Sequence, residues 1–84
     1  MPLADIAYTL AMTHDGLKRH EALQRSKVRA LRLTDAGDLR GAVAAICRDT
    51  VKIFGGLDPT ITFVGLEAAG DSAGAVREFI CGFH

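Results

Sequence analysis

Leu33–Val43 (LTDAGDLRGAV) and Leu66–Val76 (LEAAGDSAGAV) agree at seven of eleven positions, at an offset of 33 residues. In both stretches a Gly-Asp step leads into small residues and then a valine. Glycine lets the backbone bend there, and aspartate can accept from the free amides that open a helix. The chain therefore holds two similar corners, of strand-to-helix or helix-to-helix type. This repeat constrains the fold, but it names no chemistry.

Two such corners in 84 residues leave room for one domain, 1–84. A domain of that size buries only about 60–65% of the surface its unfolded chain exposes. Yet 49% of the residues are hydrophobic, so a thin core leaves apolar side chains over. Self-association or a hydrophobic partner surface covers such an excess most simply. A homo-oligomer, in the first instance a dimer, or a subunit held by a protein partner is the expectation.

Charges interrupt every apolar run before the roughly 20 residues that a membrane-spanning helix needs. The opening MPLADIAYTLAM has an early acid and no basic lead, a poor secretory signal. Cys47 and Cys81 form no CxxC or Cys-His cluster and read as buried free thiols, although one disulfide between them stays open. Together these features suggest a cytoplasmic protein without membrane contact.

Pro2 suits a first helical turn, and Leu3, Ile6, Ala7, Leu10 and Leu17 keep near-helical spacing, giving an amphipathic helix through about His20 or beyond. His14-Asp15-Gly16 interrupts it, so one kinked helix and two short ones both remain open. Val28–Leu33 (VRALRL) reads as a strand, with the tail of the first helix as the rival. Asp38 then caps a second helix with Leu39, Val43, Ile46 and Cys47 on its apolar face.

Thr50–Phe54 (TVKIF) and Ile61–Val64 (ITFV) flank a loop of Gly, Asp and Pro, and their β-branched and aromatic residues predict a hairpin. The competing reading carries the second helix through Phe54, stopped at Gly55-Gly56. A last helix from Asp71 or Ser72 to Phe83 buries Val76, Phe79 and Ile80. The order helix, strand, helix, strand, strand, helix implies an α+β fold. About three helices pack on a short three-stranded antiparallel or mixed sheet, with a small all-α bundle as the alternative.

The Gly-rich corner Gly65–Gly74 could offer helix amides to an anion, but it matches neither GxGxxG nor GxxxxGK[ST]. A capped tight turn accounts for it. Leu57–Val76 also resembles the region of acyl and peptidyl carrier proteins around their phosphopantetheine serine. Asp58-Pro59, Phe63 and Asp71-Ser72 take the places of the Asp-Pro loop, the Phe and the Asp-Ser that opens a helix. Two extra residues lie between Phe63 and Asp71, and Ala73 stands where a larger apolar residue is usual. That resemblance implies Ser72 as the attachment point, with Asp71 beside it. Leu3–Leu10 (LADIAYTL) is similar to the helix opening the linker after the ketosynthase of modular polyketide synthases, which implies an assembly-line accessory.

His14 and His20 are six apart, on different sides of a helix, and make no metal site with their lone neighbouring carboxylates. No base pairs with Cys47 or Cys81, so no enzyme and no cofactor is expected. The best polar feature is the run of six cations from Lys18 to Arg32, in which Arg25, Lys27, Arg29 and Arg32 could grip a phosphate backbone. No aromatic lies between Tyr8 and Phe54 to stack on bases, and the net charge is zero. A solvated face, or a patch meeting the acidic half of another copy, fits better. The main expectation is a non-catalytic interaction module that self-associates. Its contact centres on Ile6, Tyr8 and Leu10 of the first helix or on Phe79 and Phe83 of the last, where rigid aromatics can carry interface energy.

Overall fold

A computed structural model describes residues 3–83, with side chains from Gly16 to Phe83. It contains four helices: α1 (Leu3–Asp35), α2 (Leu39–Phe54), α3 (Pro59–Asp71) and α4 (Ala73–Cys81). Among the described residues there is no strand, so the α+β expectation is wrong and the all-α alternative holds.

Each expected strand is helix, and the burial pattern shows why. In 28–33 a strand would place residues 28, 30 and 32 on one face. Val28 and Arg32 are exposed while Ala30 is fully buried, and the buried positions Leu23, Ser26, Ala30 and Thr34 recur at three and four residues. The run 50–54 completes α2, with Thr50 buried and Val51 and Phe54 exposed. The run 61–64 lies inside α3. β-Branched side chains fit a sheet well, but their preference is weak beside helix caps and tertiary packing.

Those caps are specific. α1 runs unbroken through Gly16 and ends in a Schellman motif. There Gly37 has φ 87°, its N–H donates to Thr34 C=O at 3.0 Å, and Asp38 N–H donates to Leu33 C=O at 2.9 Å. The Asp38 carboxylate then accepts from Gly41 N–H at 3.0 Å and opens α2. Gly55, with φ 84°, closes α2 with its N–H on Val51 C=O. Asp58 caps α3 ahead of Pro59, whose missing N–H is harmless at that position. Ser72 closes α3 with its amide and opens α4 with its hydroxyl.

Both repeat segments are therefore helix-to-helix corners, and each delivers its valine to the core: Val43 and Val76 are both buried. The cap shifts by one residue between them, from Asp38 to Ser72, and Asp71 is simply the last residue of α3.

Leu23 and Ala30 of α1, Ala42, Val43, Ile46 and Cys47 of α2, and Val76 and Ile80 of α4 form the core. Thr34 and Thr50 are buried but satisfied, each hydroxyl donating to a carbonyl four residues back, Ala30 at 2.9 Å and Ile46 at 2.7 Å. α3 packs on α2 and α4 and, among the described residues, makes no contact with α1. α1 and α3 are thus held apart, each packed on α2 and α4.

Candidate functional site

α3 (PTITFVGLEAAGD) is apolar on nearly every side, a pattern that normally belongs to a helix enclosed by protein. Here only Gly65 is fully buried. Ile61, Val64 and Leu66 are exposed, and Phe63 most of all at 62%. Gly65 explains how the helix stays attached with so little buried. Lacking a side chain, it lets α3 approach Val43 and Phe79 closely.

Alongside this helix runs an open groove of about 520 Å³ between α3 and α4. Leu57, Ile61 and Val64 form one wall, Phe79 and Phe83 the other, with Glu78 at the rim. Phe79 and Phe83 pack edge to face, their centroids 5.1 Å apart at 85°, which holds both rings in place. On the outer side, Phe63, Val64, Glu67 and Asp71 fall at three- and four-residue spacing. The apolar surface is thus bordered by acids.

Two of the five expected interface residues, Phe79 and Phe83, line this groove. The side chains of Ile6, Tyr8 and Leu10 lie outside the described residues. Sequence reasoning missed Ile61, Phe63, Val64 and Leu66 because it placed 61–64 in a strand. The available signal was Asp58 followed by Pro59, the N-cap and first position of a helix.

The other expected sites are separate. Ser72 is exposed at the α3–α4 junction, and its Oγ accepts from Ala75 N–H at 3.0 Å. Asp71 beside it is exposed. Of the cations, Arg25, Arg29 and Arg32 share one side of α1 and frame a hollow around Val28, whereas Lys27 is half-buried on another side. Arg29 donates to Asp49 at 3.3 Å, and that carboxylate also accepts from the buried Ser26 hydroxyl at 2.7 Å.

Cys47 is buried at 7% exposure, and burial pushes its thiol pKa up despite a hydrogen bond with Thr62 that lowers it. Cys81 is exposed rather than buried, and both thiols are free. Among the described residues, no three His, Cys, Asp or Glu side chains converge as metal ligands, and no helix is long and apolar enough to cross a membrane.

No family model matches this chain, and no curated protein and no solved structure is significantly similar to it.

Proposed function

We propose that this chain is a non-catalytic interaction module that self-associates through the apolar surface of α3 and α4. One observation carries the reading: a helix apolar on nearly every side leaves Ile61, Phe63, Val64 and Leu66 in water. Exposed apolar surface of this kind is costly to keep solvated unless something covers it. The groove beside it adds two orientated phenylalanines, which suit the centre of a protein contact.

Sedimentation of the chain across a wide concentration range tests this reading. The expected result is a concentration-dependent oligomer that Phe63→Asp dissociates while leaving the helical circular dichroism unchanged. A wild-type chain that stays monomeric throughout would remove self-association as its function.

A further inference from the structure

The charges of this molecule are sorted by helix in a way that selects the geometry of its association. Residues 17–52, which span the last half of α1 and almost all of α2, hold nine Lys and Arg against four Asp and Glu. Residues 53–83 hold four acids, Asp58, Glu67, Asp71 and Glu78, against Arg77 alone. Arg77 is itself bound to Asp35 of α1 at 2.8 Å. Among the described residues, no cation pairs with Glu67, Asp71 or Glu78.

A two-fold dimer built on α3 against α3 would bring two such acid-bordered surfaces together. Like charges brought together across an interface oppose it. The surface instead suits an apolar contact flanked by cations, and α1 carries one at Val28. Val28 on the outer face of α1 is 49% exposed in a hollow framed by Gln24, Arg25, Arg29 and Arg32. Leu17, three turns earlier on the same face, is also exposed, and Glu21 stands between them, so the cationic part of this face is the Arg25–Arg32 segment around Val28. Because α1 and α3 do not touch, one copy can offer both faces at once.

We infer that copies of this chain associate head to tail. The outer stripe of α1, with Val28 between Arg25 and Arg32, seats on the acid-bordered apolar surface of α3 and α4 of the next copy. This inference rests on the self-association proposed above and specifies its partner and symmetry. Such a contact uses different surfaces on the two copies, so it closes into a ring or continues as a filament. Its strength falls with added salt, since exposed charges are screened over about 8 Å at physiological ionic strength.

Two variants of the full chain, prepared free of nucleic acid with nuclease, test this arrangement by sedimentation. Phe63→Asp disables the α3 surface, and Arg25→Glu with Arg32→Glu disables the α1 stripe. All three positions are exposed, so circular dichroism should match the wild type; if Phe63→Asp loses helicity, Val64→Asp replaces it. Each variant alone is expected to be monomeric. Their equimolar mixture is expected to form a one-to-one heterodimer that grows no further, because each partner supplies one intact face.

Raising salt from about 50 to about 500 mM should weaken wild-type association roughly tenfold or more. A mixture that stays monomeric while the wild type assembles would overturn head-to-tail contact yet leave self-association standing. The same holds if the α1 variant assembles like the wild type. Assembly that disappears on nuclease treatment would also overturn it, assigning the arginine stripe to a phosphate backbone. A wild-type chain that never assembles would instead remove the underlying proposal.

Discussion

Gly65 of α3 sits so close to the ring of Phe79 on α4 that an added Cβ would lie 2.6 Å from its Cζ. The same Cβ would lie 2.7 Å from Cγ1 of Val43, which is buried and cannot move aside. Alanine normally improves a helix by about 1 kcal/mol over glycine. Forcing an extra methyl into a filled contact costs about 1–3 kcal/mol, so the steric effect wins. Gly65→Ala should lower the urea midpoint, while Gly70→Ala on the same helix, with nothing within 4 Å, should raise it. Equal midpoints for the two variants would show that α3 is not held by this close approach.

The two repeat corners make a matched experiment, because equivalent aspartates do different work in them. The Asp38 carboxylate caps α2, whereas at the second corner the cap is the Ser72 hydroxyl. Asp38→Ala and Ser72→Ala should each lose roughly 1 kcal/mol in denaturant titration. Asp71→Ala, which removes no cap, should stay within about 0.5 kcal/mol of the wild type. A loss at Asp71 as large as at Asp38 would mean that the corners are equivalent in energy as well as sequence.

The Asp38 cap and the periodic apolar face of α2 were legible in the sequence, whereas short apolar runs without a clear period were not. Asp38 was found as an N-cap because a capping side chain acts on amides two or three residues away. The face of α2 was legible for a related reason, since Val43, Ile46 and Cys47 repeat at helical spacing. VRALRL, TVKIF and ITFV failed because a run of four to six β-branched and aliphatic residues carries little periodicity of its own. Their helical state depends on neighbours: the Ser26–Ala30–Thr34 seam against α2, and Gly65 against Val43. The candidate surface was half legible. Phe79 lies on a helix that the sequence announces, with Phe83 two residues past its end, but Phe63 and Val64 become a surface only once 61–64 is helical and packed on α2 and α4.

The two cysteines should separate cleanly toward a thiol reagent. Only thiolate reacts, and burial disfavours the charged form of Cys47, raising its pKa. Cys81 is exposed at the end of α4. At neutral pH the native chain should therefore take up one equivalent of a bulky alkylating agent, on Cys81, as located by peptide mass spectrometry. The Cys47 reaction should become fast only above the ordinary thiol range or on unfolding. Equal labelling of both residues in the native state would contradict the packing of α2 against α3.

Among the described residues two ion pairs link helices, and their surroundings predict unequal importance. Arg77 and Asp35 join α4 to α1 at 2.8 Å, but their side chains are 50% and 66% exposed. Water and salt screen such a pair, so Arg77→Ala should lose no more than about 1 kcal/mol, and less in high salt. Asp49 differs because its carboxylate is only 13% exposed and accepts from Ser26, which is 2% exposed. Asp49→Ala strands that hydroxyl, at a cost of about 1–3 kcal/mol for an unsatisfied buried group. The loss falls at the lower end if Ser26 turns to the carbonyl of Ala22, as Thr34 and Thr50 turn to theirs. Adding Ser26→Ala to Asp49→Ala should then cost little more, a coupling that independent contributions would not give. A fully additive double variant would show that the two side chains stabilise α1 against α2 separately.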